Sequence, residues 1–126
     1  MKSVSKILIA ILVLCSVSAK VRAAEDDPAR LAPKNYHVRL DNHECRVLDV
    51  WLRPGAKIPM HSHPNSVVYV VNGGLIKFTN EKGQSQVMRM QAGQCFWRND
   101  EEHAVQNVGK RTTHVIQVEL KGVRIF

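Results

Sequence analysis

Residues 55–74 read Gly55-Ala56-Lys57-Ile58-Pro59-Met60-His61-Ser62-His63-Pro64-Asn65-Ser66-Val67-Val68-Tyr69-Val70-Val71-Asn72-Gly73-Gly74. The run Val67 to Val71 is apolar and mostly β-branched, and Asn72-Gly73-Gly74 closes it as turn residues close a strand. His61 and His63 stand two apart, so on a strand their side chains leave the same face, with backbones about 6.5 to 7 Å apart. Two imidazoles can converge from there on one ion at about 2.0 to 2.1 Å.

The same punctuation continues on both sides. Upstream, Val47, Leu48, Val50, Trp51 and Leu52 put apolar side chains on both faces of one strand, as in a sheet covered on both sides, and Pro54-Gly55 stops the run. Downstream, Leu75, Lys77 and Thr79 alternate with Ile76 and Phe78. Asn80-Glu81-Lys82-Gly83 then turns the chain into Gln84 to Met90, which predicts a hairpin. Further strands are expected over 94–98, 103–107 and 112–120. No helical period competes, and there is no internal repeat or low-complexity tract. An all-β closed barrel or jelly roll follows, an arrangement that also removes exposed edges.

A third ligand has to come from another strand, and His103 begins one just after the polar turn Asn99-Asp100-Glu101-Glu102. Spacing alone leaves two readings open: a three-histidine metal site, or histidines that only hydrogen-bond.

Gly55-x5-His61-x-His63-x3-Val67-x6-Gly74 resembles the first motif of the cupins, and Gly93 followed by His103-x3-Asn107 resembles the second. Together they cover most of residues 45–120. Arg53-Pro54-Gly55, Pro59 to Pro64, Gly93 to Trp97 and His103 to Gly109 are similar in particular to the small cupins associated with β-alanine degradation, a pathway context that brings no established reaction. The resemblance implies a cupin double-stranded β-helix over 36–126, usually dimeric, with a divalent metal deep in the barrel on His61, His63 and His103. Two departures stand out. The cupin glutamate ligand falls on Val67, which has no donor atom, and the Pro-x-Gly of the second motif is replaced by Arg98-Asn99-Asp100 at the barrel mouth.

Three neutral nitrogens would leave a dication's charge uncompensated and two or three coordination positions open, which favours a small anionic, oxygen-bearing organic ligand. Similar three-histidine cupins include iron(II) dioxygenases, so iron(II) is expected by analogy; zinc, copper, nickel and manganese fit the same donors. Two function classes follow: a metal-dependent, dioxygenase-like enzyme acting on a small organic acid, and a non-catalytic metal or small-molecule binding module. No catalytic acid or base stands out. His114 shares parity with Ile116, Val118 and Leu120 and is read as inward-facing, a core histidine with a supporting role as the alternative. Tyr69 reads as an aromatic core filler sooner than a cavity wall, Met60 and Trp97 as core or pocket wall, His37 and His43 as loop residues, and Glu101 and Glu102 as a solvated turn.

The net charge of +7 resembles a nucleic-acid signal until it is located along the chain, because Lys2, Lys6, Lys20 and Arg22 lie in the first 22 residues. Without those four, 14 of the 18 basic residues face 11 acidic ones. No run of Lys or Arg is interleaved with aromatics, so nucleic acid is not an expected partner. Residues 1–23 have a basic start, an apolar stretch from Ile7 to Leu14 and small residues ending at Ala23, the pattern of a signal peptide. The apolar stretch is well short of the ~20 residues that span a bilayer. The expectation is an exported protein, periplasmic if the source has an outer membrane, free of the membrane after cleavage. A flexible linker is expected over 24–35. Cys45 and Cys95 would remain after cleavage, bridged or buried as free thiols. The second apolar face of the strand around Trp51 needs a cover, which makes it the candidate contact of a homodimer.

Overall fold

The computed structural model describes residues 26–122, so the expected signal peptide lies outside the described residues. The described residues open with a single helical turn, α1 (Pro28–Leu31), capped by the Asp27 carboxylate, which accepts from the Ala29 N–H. Nine strands follow: β1 (Tyr36–Asp41), β2 (Cys45–Leu52), β3 (Lys57–His63), β4 (Ser66–Asn72), β5 (Gly74–Asn80), β6 (Ser85–Met90), β7 (Cys95–Arg98), β8 (Glu101–Asn107) and β9 (Thr113–Leu120).

Pairing follows one rule. β5 pairs with β6, β4 with β7, β3 with β8 and β2 with β9, all antiparallel. The chain is one long antiparallel ribbon whose tip is the turn between Asn80 and Gln84, and the ribbon is rolled up on itself. Rolling adds the β4–β9 and β5–β8 contacts and produces two facing sheets, β1-β2-β9-β4-β7 and β3-β8-β5-β6. This is the all-β jelly roll, or double-stranded β-helix, that the strand spacing predicts.

Between the sheets lies a core of Leu48, Val50, Leu52, Val68, Val70, Ile76, Met90, Val105 and Val115, with Tyr36 from β1 and Ile58 from β3. Asn107 closes one end by side-chain hydrogen bonding. Its amide donates to the Leu52 and Arg111 carbonyls, and its carbonyl accepts from the Gly109 N–H. The buried histidines and Glu119 gather at the other end.

Several expectations are corrected here. The described part of the expected linker is docked: α1 packs against β3, the Ser62 N–H donates to the Asp26 carbonyl, and Asp27 pairs with Arg46 at 2.9 Å. β1, which carries Tyr36 and His37, falls partly in a stretch with no strand signal; its central residues are exposed, so alternation is weak there. β8 starts at Glu101, two residues before the expected start, so Glu101 and Glu102 belong to a strand and not to a solvated turn. In β9 the parity is reversed: Thr113, Val115, Gln117 and Glu119 face inward, and His114, Ile116, Val118 and Leu120 face out. Outside, His114 stacks on Trp51 with ring centroids 3.6 Å apart and hydrogen-bonds Asp49 at 2.6 Å. Tyr69 and Trp97 also lie on the outer surface, 47% and 51% exposed, and are neither core nor pocket wall. Cys45 and Cys95 are free. They sit on β2 and β7, three strand spacings apart or roughly 14 Å, twice the Cα separation of about 7 Å at which bridging fails.

Among the described residues no helix is long and apolar enough to cross a membrane.

Candidate metal centre

β3 delivers two histidines inward because it is irregular. Ile58 pairs with Val105 and His61 with His103, so two residues of β3, Pro59 and Met60, stand against Ala104 alone on β8. This bulge corrects the parity: Ile58, His61 and His63 all face the core, although Ile58 and His61 are an odd number of residues apart. Proline suits the place, since a bulge spares it the ladder hydrogen bond it cannot donate. His103, directly across from His61, brings the third ring.

The three imidazoles are buried, and one nitrogen from each lies within 4.8 Å of the others. Their partners fix which nitrogen is free. The Pro59 carbonyl, 2.7 Å from His61 Nδ1, can only accept, so Nδ1 carries the proton and Nε2 the lone pair. The Glu119 carboxylate does the same for His63, accepting from Nδ1 at 2.7 Å. His103 Nδ1 stands 3.3 Å from a Glu101 oxygen, near enough for attraction but out of hydrogen-bond alignment, and has no other partner among the described residues. The Tyr36 hydroxyl reaches His61 Nε2 at 3.3 Å.

Each carboxylate is itself held. Arg46 donates to Glu119 at 2.6 Å and to Asp27 at 2.9 Å; Arg98 grips both oxygens of Glu101 at 2.6 and 2.5 Å and lies over the Phe78 ring. Burial would raise Glu119, but His63 and Arg46 outweigh it and hold the carboxyl below its usual range. Glu101, likewise opposed by burial, is drawn down to about 2 by His103 and Arg98. For His61 burial wins: desolvation brings it down to about 3, and His103 is lowered for the same first reason. Both are therefore neutral at pH 7, the form a metal requires.

The donor set thus fits a dication: three buried rings, with the Nε2 lone pairs of His61 and His63 fixed by hydrogen bonds behind them. Around the ligands stand Glu119, Arg46 and Tyr36, none of which the sequence reading singles out, and Glu101, which is not a solvated residue. Three carboxylates (Asp27, Glu101, Glu119) and two guanidiniums (Arg46, Arg98) stand behind the rings, and Arg30 acts on Asp27 in turn. Val67 faces outward; the inward neighbour is Val68, which lines the cavity and has no donor either. Beside His63 and His103 lies a cavity of about 50 Å³, walled mainly by Val50, Val68, Ile76, Phe78, Phe96 and Val115. Met60 is not among its lining residues.

Comparison with known proteins agrees with this architecture. The chain resembles a cupin-domain protein of Bordetella pertussis at 24% identity over 69% of this chain and 92% of that one, with a TM-score of 0.64. It also resembles an uncharacterized Klebsiella pneumoniae protein with a double-stranded β-helix domain (21% identity, 79% and 87% covered, TM-score 0.56). An RmlC-like cupin family protein of Methanocaldococcus jannaschii shares the fold at 13% identity, with 68% and 77% covered and a TM-score of 0.56. No curated protein matches significantly. The family profile described as cupin domain spans residues 48–119, from the core of β2 through all three histidines to Glu119, and with that match the chain belongs to the cupin family.

Proposed function

We propose that this protein binds one divalent metal ion through His61, His63 and His103 and presents it to a small anionic organic ligand in the adjoining cavity. The observation that carries this reading is the convergence of three buried imidazoles, two of them with Nδ1 committed to an acceptor. A dication held by three neutral nitrogens, with the carboxylates behind them already paired to arginines, keeps positive charge for the anionic oxygen of a carboxylate or enolate. Size restricts the ligand further. A cavity of about 50 Å³ has room for roughly three to five water-sized atoms at 10 to 15 Å³ each.

When bound, the ion would supply Lewis acidity, or, as iron(II), the means to bind oxygen beside substrate. The chain's own residues orient the histidines, face the cavity with a mainly apolar wall and hold the carboxylates in place through Arg46 and Arg98. Iron(II) is the metal proposed by analogy with other three-histidine cupins. The context of β-alanine degradation rests on the motif resemblance alone and brings no reaction with it. A binding module is the better-supported form of the proposal, because both carboxylates at the site are already occupied by arginines and offer no free base. Oxygen consumption by iron(II)-loaded protein with a panel of β-keto and thiol acids decides this: the module predicts none, and sustained uptake with any of them establishes the oxygenase.

Export and dimerisation complete the proposal. A mature chain beginning at Ala24 would place Asp27, the anchor of Arg46, close to the new N-terminus. The outer face of the five-stranded sheet, with Trp51, Tyr69, Val71 and Trp97 exposed, supports a two-fold dimer of this chain.

A further inference from the structure

Tyr36 is a buried polar group beside the histidines that the metal-site reading leaves without a role. It is 5% exposed, lines the same cavity as His63 and His103, and its ring lies 5.6 Å from that of His61 and 6.1 Å from that of His63. Its hydroxyl has one hydrogen-bond partner among the described residues, His61 Nε2 at 3.3 Å. Because Nδ1–H is committed to the Pro59 carbonyl, Nε2 carries the lone pair, and the hydroxyl must be the donor. That lone pair is also the one the histidine would offer to a metal, and it cannot serve both.

The hydrogen bond is the weaker claimant, since 3.3 Å is long for O–H···N. Once it is surrendered, a buried hydroxyl needs another acceptor or costs stability. The ring is packed against the core, so only the hydroxyl proton can turn. The nearby carboxylate oxygens already accept from His63, Arg46 and Arg98, and of the other polar lining residues Gln117 is bonded to Ser66 through its amide nitrogen while Thr113 sits on the same strand farther along. A ligand atom inside the cavity is an acceptor that asks none of these groups to rearrange.

We propose that Tyr36 is the hydrogen-bond donor to the anion bound beside the metal, its hydroxyl being released from His61 when Nε2 becomes a ligand. This rests on the three-histidine metal reading. It adds a specificity rule: anions that keep a free lone pair toward Tyr36 bind more tightly than those that do not.

The test uses the full chain loaded with cobalt(II), whose visible spectrum reports both metal occupancy and added azide. Tyr36→Phe keeps the ring and removes only the hydroxyl. The expected result is a split: cobalt(II) affinity unchanged or a few-fold tighter, and azide affinity about tenfold weaker, with Tm within a few degrees of the parent. Equal azide affinity in the two proteins overturns the proposal, as does a parent that binds cobalt(II) but shows no spectral response to azide. Loss of cobalt(II) and azide binding together also overturns it, because that marks Tyr36 as a packing residue. A parent that takes up no cobalt(II) fails earlier, at the metal reading itself.

Discussion

Glu119 holds His63 from behind, and Arg46 holds Glu119, so the orientation of one imidazole depends on a chain of charges that runs from buried Glu119 through half-buried Arg46 to Asp27. Glu119→Gln keeps the shape but weakens the acceptor and unbalances Arg46. Carboxylates in this position typically contribute 10- to 100-fold to metal affinity, so a loss of roughly that size is expected in a competition titration with a chromogenic chelator. His61 gives a second prediction. In the metal-free protein its pKa falls from 6.5 to about 3, with burial as the leading cause. The unfolded chain therefore takes up the proton first: stability is intact above pH 6.5 and declines as pH falls from there toward 3. The loss is on the order of a few kcal/mol. Glu101, down to about 2, adds a loss of its own below pH 4.5. Thermal melts of chelator-treated protein between pH 7.5 and 4 should show Tm falling from the upper half of that range, and His61→Asn should flatten that part of the curve. A Tm constant down to pH 5 in the parent would contradict the burial argument.

Among the elements, β3 and β9 show what the sequence makes legible. The strands from β2 onward, the hairpin at Asn80–Gly83 and the three histidines can be read from alternation, turn residues and motif spacing, whereas β1 cannot. The bulge at Pro59-Met60 cannot, because nothing in a period of two announces an extra residue; it shows in the odd spacing of Ile58 and His61, which both end up buried. β9 misleads for a physical reason. Its outer face carries Ile116, Val118 and Leu120, while its inner face carries Thr113, Gln117 and Glu119, so an apolar-inside rule selects the wrong parity. A functional interior breaks the binary pattern where it needs polar groups, and Glu119 is such a group. The turn between β4 and β5 yields a further prediction. A Cβ on Gly73 would collide with the Met90 carbonyl of the backbone, whereas one on Gly74 would meet the Thr113 hydroxyl. Backbone cannot yield as a side chain can. Gly73→Ala should therefore cost about 2 to 3 kcal/mol and more than Gly74→Ala, as read from urea midpoints; the reverse order would show that the turn is malleable.

For the whole molecule, the rolled ribbon sets a polarity along the barrel. One end is shut by Asn107, and the other collects His63, Glu101, Glu119, Arg46 and the docked turn α1. The outer face of the five-stranded sheet has the opposite character, and the two-fold dimer proposed for it predicts that Tyr69→Glu with Trp97→Glu converts a dimer into a monomer by light scattering on a sizing column. A parent already monomeric at tens of micromolar would remove that proposal without touching the metal site. The central claim is that the three histidines act as one ligand set, and metal content tests it most directly. Protein loaded separately with iron(II) under anaerobic conditions, with zinc and with cobalt(II), then dialysed, should retain close to one equivalent per chain of at least one of these ions by elemental analysis. His63→Ala and His103→Ala should each retain far less while still folding. No retained metal in the parent, or retention that survives loss of all three histidines, would contradict the account.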